Sequence, residues 1–281
     1  MAVDTDTQLA WEKRHRPRAA IAAALSALGL IAFYVGGQIL GQSVPTSSGL
    51  ESLTRAAQPG PIGELPSLRT EYFEYLDSRS GLLFLIGFGG LAGYIGLAWA
   101  VGFLAVAARG REAPMRKWIV YIPIVGGVVV GVSTLMAQIG TLMLTNEFLD
   151  GPRTVEAAVG LENDLVLWAN ALFQLGLLTL AVALVMVSLN AMRVGLLTRL
   201  MGYIGIVTGV MLVLFQLPIV QIFWIAALGV LFSGRWPGGV PPAWKTGHAE
   251  PWPSRAPAAS APASTPAPAP SAPRRKRKKR H

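Results

Sequence analysis

The chain has no cysteine among its 281 residues, which excludes disulfides, thiolate metal sites, iron-sulfur clusters, a cysteine nucleophile and a lipidated cysteine anchor. It is also short of charge: Asp, Glu, Lys and Arg make up 14% of it, against about 25% in soluble domains. Five stretches contain no Asp, Glu, Lys, Arg or His at all: Ala19 to Leu50, Ser80 to Ala108, Trp118 to Asn146, Leu165 to Met192 and Leu200 to Gly234. Each exceeds the ~20 predominantly apolar residues that cross ~30 Å of hydrocarbon.

The same scarcity bears on chemistry. Ionisable groups inside a bilayer usually mark proton relays, ion paths or cofactor ligands, because each is costly to keep there. His15, His248 and His281 all lie in the flanking segments, so bis-histidine haem ligation within the bilayer is excluded, and ion-coupled transport lacks a mid-depth carboxylate. No phosphate-binding glycine loop, His-Glu-x-x-His zinc motif or nucleophile elbow occurs. The residues therefore assign no catalytic side chain, no metal ligand and no cofactor, and they weigh against a membrane enzyme without deciding the matter.

What is present is apolar: 52% of residues are hydrophobic, and 31 glycines fit membrane helices, whose backbones approach closely. Lys13, Arg14, Arg16 and Arg18 precede an apolar run too long for a signal peptide, and Gly41-Gln42-Ser43 is a poor cleavage site, so the run is expected to stay as a first span.

Basic residues of short loops stay in the cytoplasm. They cluster at the N-terminus, at Arg109, Arg111, Arg116 and Lys117, at Arg193 and Arg199, and from Arg235 onward, while 42–80 and 147–164 are acidic. One side holds 20 basic residues and the other 4. A single helix over 200–234 would be ~52 Å long and would reverse this parity, whereas a break near Gln216-Leu217-Pro218 preserves it. The expected fold is an all-α, six-helix transmembrane bundle with both termini cytoplasmic and spans near 19–41, 81–107, 118–144, 165–189, 200–216 and 218–234. A re-entrant hairpin is the alternative for the last block.

Around this domain, residues 1–18 form a basic N-terminus, and the external loop 42–80 carries a short amphipathic helix near 66–79, where Leu68, Tyr72, Tyr75 and Leu76 recur at helical spacing. That helix is expected to cover helix ends, with a binding platform as the alternative. Residues 235–273 read as a Pro/Ala-rich linker with eight prolines after Glu250, ending in a polybasic tail over 274–281 in which no core forms.

Small residues four apart (Gly37/Gly41, Gly89/Gly93, Ala98/Gly102, Gly127/Gly131 and Gly205/Gly209) predict tight helix packing inside the bundle, or between copies in a homo-oligomer. Trp118, Trp168 and Trp236 fall where aromatic rings sit at membrane boundaries. The polar groups at depth are neutral: Gln38, Ser133, Thr134, Gln138, Thr141, Asn170, Gln174, Thr179, Ser188, Thr208, Gln216 and Gln221. Gln138, Asn170 and Gln174 are the candidate intramembrane polar cluster, Asn170 and Gln174 sharing a helix face. Asp77, Glu147, Glu162 and Asp164 are candidates for an external acidic mouth that binds a cation weakly.

Arg274, Arg275, Lys276, Arg277, Lys278, Lys279 and Arg280 form an unbroken basic run suited to anionic lipid headgroups, with RNA or an acidic protein as alternatives. The run from Arg193 to Gly209 resembles a stretch in a bacterial domain-of-unknown-function family of polytopic membrane proteins. Phe223-Trp224, Gly234-Arg235-Trp236-Pro237-Gly238-Gly239, Pro241-Pro242-Ala243-Trp244 and Pro251-Trp252-Pro253 resemble the end of uncharacterised actinobacterial membrane proteins. Neither resemblance supplies site residues; both imply a multi-pass protein of a bacterial plasma membrane. The functions in view are a structural or interaction protein with a basic tail and, as the alternative, a facilitator or channel for a small neutral solute.

Overall fold

The first helix begins well before the apolar run that predicts it. In the computed structural model, which describes residues 5–45, 54, 57, 61–111, 115–215, 217–237 and 239–250, α1 runs unbroken over Thr5–Gln42 and carries Pro17 in its interior. Its buried positions Gln8, Glu12, Ala19, Ala23, Ser26 and Leu30 keep one helical register across the boundary between the basic segment and the apolar stretch. Tertiary packing along that stripe outweighs the hydrogen bond that Pro17 cannot donate.

Beyond α1 come α2 (Thr70–Ser78), α3 (Ser80–Gly110), α4 (Ile122–Asp150), α5 (Val155–Val159), α6 (Asp164–Arg193), α7 (Arg199–Leu214), α8 (Pro218–Phe232) and α9 (Ala243–Thr246). Among the described residues there is no β-strand, only an isolated antiparallel bridge between Pro66 and Thr154. Helix starts follow local chemistry. The Asn163 side chain accepts from the amides of Leu165 and Val166, the Thr198 hydroxyl accepts from Met201, and Pro218 opens α8, where its missing N–H costs nothing.

Four helical segments, Thr5–Gln42, Ser80–Gly110, Lys117–Asp150 and Val155–Arg193, are long and apolar enough to cross a membrane. The last apolar block is two helices of 16 and 15 residues, the first ending at Leu214 and the second opening at Pro218 as the proline predicts. Helix α3 is central, packing against α1, α4, α6 and α8. Its seam with α1 is glycine to glycine: a Cβ placed on Gly29 would sit 2.6 Å from the Gly89 carbonyl oxygen. Ser26 adds an interhelical hydrogen bond to the Gly93 carbonyl at 2.7 Å. Most of the expected small pairs are thus accounted for within one bundle, while Gly37 and Gly41 face open space.

Contacts sort the helix ends into two groups. At one end Glu12, Arg111, Leu196 and Trp244 meet; at the other Phe73, Leu76, Leu83, Phe148 and Ala158 form a separate small core. We call these the basic and acidic ends after their loops. At the acidic end α2 is a lid: Phe73 packs at a tilt against Phe148 with ring centroids 4.4 Å apart, and the Tyr75 hydroxyl donates to the Leu40 carbonyl in the last turn of α1. The buried face is centred on Phe73 and Leu76, with Tyr72 and Tyr75 half-buried at its edge.

At the basic end the expected linker is partly folded. Trp244 is 6% exposed, stacks on Phe103 and donates from its indole nitrogen to the Leu196 carbonyl at 3.0 Å. The expectation that no core forms after residue 234 is corrected for 239–250, because one large aromatic side chain buries enough apolar area to anchor a Pro/Gly-rich segment. The polybasic run Arg274–Arg280 lies outside the described residues.

Candidate functional site

A cavity of about 300 Å³ opens inside the bundle toward its acidic end, between α1, α3, α4, α6 and α7. Phe33, Leu40, Ile86, Phe173, Leu177 and Leu212 give it apolar walls, and Tyr34, Gln38 and Gln138 supply polar atoms. No carboxylate, imidazole, amine or guanidinium is among its lining residues. Gly37 opens onto it as well, which explains why a Cβ there would touch nothing within 4 Å.

Beneath the cavity lies a hydrogen-bonded chain that joins three helices. The Tyr34 hydroxyl is 3.0 Å from the Tyr94 hydroxyl and donates to Gln221 Oε1 at 3.4 Å. Tyr94 is fully buried and Gln221 is 1% exposed, yet Gln221 Nε2 has no hydrogen-bond partner. An unmet buried amide costs about 1–3 kcal/mol, so it marks either stored strain or a place for a ligand acceptor. Phe33 packs edge-on against both tyrosine rings and fixes their orientation.

The other deep polar residues do little between helices. Ser133, Thr134, Thr141, Thr179 and Thr208 each donate to a carbonyl three or four residues back in their own helix. Of the candidate cluster, Gln138 lines the cavity, but Asn170 and Gln174 are exposed on the outer face of α6. The inward stripe of that helix is Ala169, Phe173, Gly176, Leu177 and Leu180, and it turns Asn170 and Gln174 away. The three residues are therefore not one site. Gln216 lies outside the described residues.

The acidic mouth does not assemble either. Asp77, Glu147, Glu162 and Asp164 are all exposed, and among the described residues no three acidic or imidazole groups come together in a way that holds a metal ion. Asp77 is in the last turn of α2 and Glu147 in the last turn of α4, while Glu162 and Asp164 lie together at the start of α6. Among the described residues at this end, Glu74 pairs with Arg153 at 3.1 Å.

Sequence reasoning passed over Tyr34 and Tyr94. A buried tyrosine in an apolar stretch was the available signal, since its hydroxyl must find a partner at depth. Fold and cavity together define a class: an all-helical protein with four helices long and apolar enough to cross a membrane and a cavity lined by neutral polar groups. Comparison with protein-family models, curated proteins and solved structures gives no match.

Proposed function

We propose that this chain is a six-span protein of a bacterial plasma membrane, its basic end in the cytoplasm, that binds a small uncharged solute, or the polar end of an uncharged amphiphile, within the bilayer. The observation that carries this reading is the Tyr34–Tyr94–Gln221 network with its unpartnered amide, set beneath a cavity whose walls bear no charge. Such a surface offers donors and acceptors to hydroxyl or carbonyl groups and no opposite charge to offset the desolvation of an ion.

The orientation rests on the 20 to 4 division of basic residues and on the return of 239–250 to the end where α1 begins. Helices α7 and α8, ~24 Å and ~22 Å long, span most of the hydrocarbon and are matched to it by local thinning. The resemblances noted above support the bacterial assignment.

The test is equilibrium binding to nanodisc-embedded protein of labelled uncharged probes graded from glycerol to a long-chain alcohol. Saturable binding of at least one probe, lost in Gln221→Leu, is expected. Absence of saturable binding across the series overturns the reading.

A second reading, an interaction protein acting through its tail, is favoured by one observation: Glu250 donates its amide to the Val194 carbonyl, so the residue just before the Pro-rich segment is held at the basic end. Affinity capture with and without Arg274–Arg280 separates binding to anionic lipid from binding to RNA or an acidic protein.

A further inference from the structure

We propose that a second pocket, at the basic end between α1, α8 and the 239–250 segment, binds the phosphate of an anionic phospholipid headgroup. The pocket holds about 400 Å³ and is lined by Lys13, Arg16, Pro17, Phe232, Ser233 and Trp244, with Glu12 at its inner edge. This site depends on the membrane-spanning reading and is independent of the cavity at the acidic end.

The charge in the pocket is positive once its pairs are removed. Glu12 is fully engaged: both its carboxylate oxygens accept from Arg111, and Gln8 donates to Oε1 as well. Lys13 and Arg16 then remain as cations with no ion pair of their own among the described residues, Glu12 being hydrogen-bonded to Arg111 and acting on Arg16 only through space. Arg16 Nη2 donates to the Leu231 carbonyl at 2.8 Å, and the guanidinium lies 4.9 Å from the Trp244 ring centroid. Its Nε is buried and has no hydrogen-bond partner. A guanidinium fixed by a helix-end carbonyl and an indole, with one donor unmet, is prepared for an anionic oxygen, and phosphate matches its fork.

Depth and surroundings select a lipid rather than a free ion. Arg16 lies one turn outside Ala19, where the charge-free stretch begins, which is headgroup level. From Lys13 and Pro17 the same face of α1 continues through Ile21, Leu28, Ile31 and Val35, all exposed and apolar. Acyl chains attached to a phosphate at Arg16 would run along this stripe.

The experiment uses the full-length chain with its seven tail cations replaced by glutamine, so that the tail contributes no binding, reconstituted and examined by native mass spectrometry. Retention of one phosphatidylglycerol in preference to phosphatidylcholine is expected, with affinity falling about tenfold in Arg16→Gln and several-fold in Lys13→Gln. Equal retention of the two lipids overturns the proposal. So does displacement of phosphatidylglycerol by inorganic phosphate at comparable concentration, which would assign the pocket to free phosphate. If Arg16→Gln does not fold, Lys13→Gln decides, and unchanged phosphatidylglycerol affinity in that variant overturns the site.

Discussion

Glu12 and Arg111, 99 residues apart, form a two-pronged ion pair whose side chains are 3% and 0% exposed. Arg111 Nη2 meets Glu12 Oε2 at 2.8 Å and also donates to the Ala243 carbonyl at 2.8 Å, while Nη1 reaches the Ala107 carbonyl. One guanidinium thereby joins the start of α1, the end of α3 and the segment that follows α8. Its ring-facing side lies 5.3 Å from Trp244, within cation–π range.

Breaking this pair from one side leaves a buried charge without compensation, which costs about 3–5 kcal/mol. Arg111→Met and Glu12→Met are each expected to lower the thermal midpoint in detergent by a wide margin. The double variant, which removes both charges, is expected to be more stable than either single one, and additive losses would show that the two residues do not act as a pair.

Trp244 closes the same end from the chain beyond α8. Trp244→Ala removes contacts with Phe103 and Phe232 and the bond to Leu196, a loss of about 3–5 kcal/mol if the segment is integral to the fold. Limited proteolysis is expected to cut within 235–250 in the variant and to spare it in the parent. Equal protection in both would mean that other contacts hold the segment.

How much of this was legible in sequence varies with the range of the interaction. Span ends at Arg79/Ser80, Asp164 and Arg199 are read from single charges beside apolar runs, and the start of α8 from Pro218. The extension of α1 was hidden because its inward positions before Ala19 are Gln8 and Glu12, so the hydrophobic period fades although the helical register continues. Trp244 was hidden for a different reason: one aromatic among Pro and Gly has no periodicity to detect. The cavity escaped because Tyr34 and Tyr94 lie 60 residues apart, whereas the pairing of Asn170 with Gln174 tests only neighbours on one helix.

The glycine seam between α1 and α3 predicts opposite outcomes for two chemically identical changes. Gly29→Ala puts a methyl against the backbone of Gly89 and Gly93, and overpacking of that kind costs about 1–3 kcal/mol. Gly37→Ala meets nothing and gains up to about 1 kcal/mol of helix propensity. Thermal midpoints of the two variants should therefore move in opposite directions, and a matching fall in both would place the α1–α3 contact elsewhere.

The unpartnered amide of Gln221 distinguishes a site from a flaw in packing. Gln221→Leu exchanges a buried, half-satisfied amide for an apolar side chain of similar size, removing a cost of about 1–3 kcal/mol while giving up one long bond from Tyr34. Stability should hold or rise. If the network exists to receive a ligand, saturable binding of the uncharged probe falls by about tenfold or more in the same variant, since a pocket built around hydrogen bonds discriminates through the groups it would leave unmet. Tyr34→Phe separates the contributions: it removes the hydroxyl that donates to Gln221 Oε1 and pairs with Tyr94, so it should lose stability as well as binding. A protein in which Gln221→Leu raises the thermal midpoint and binds the probe unchanged would show the network to be incidental to function.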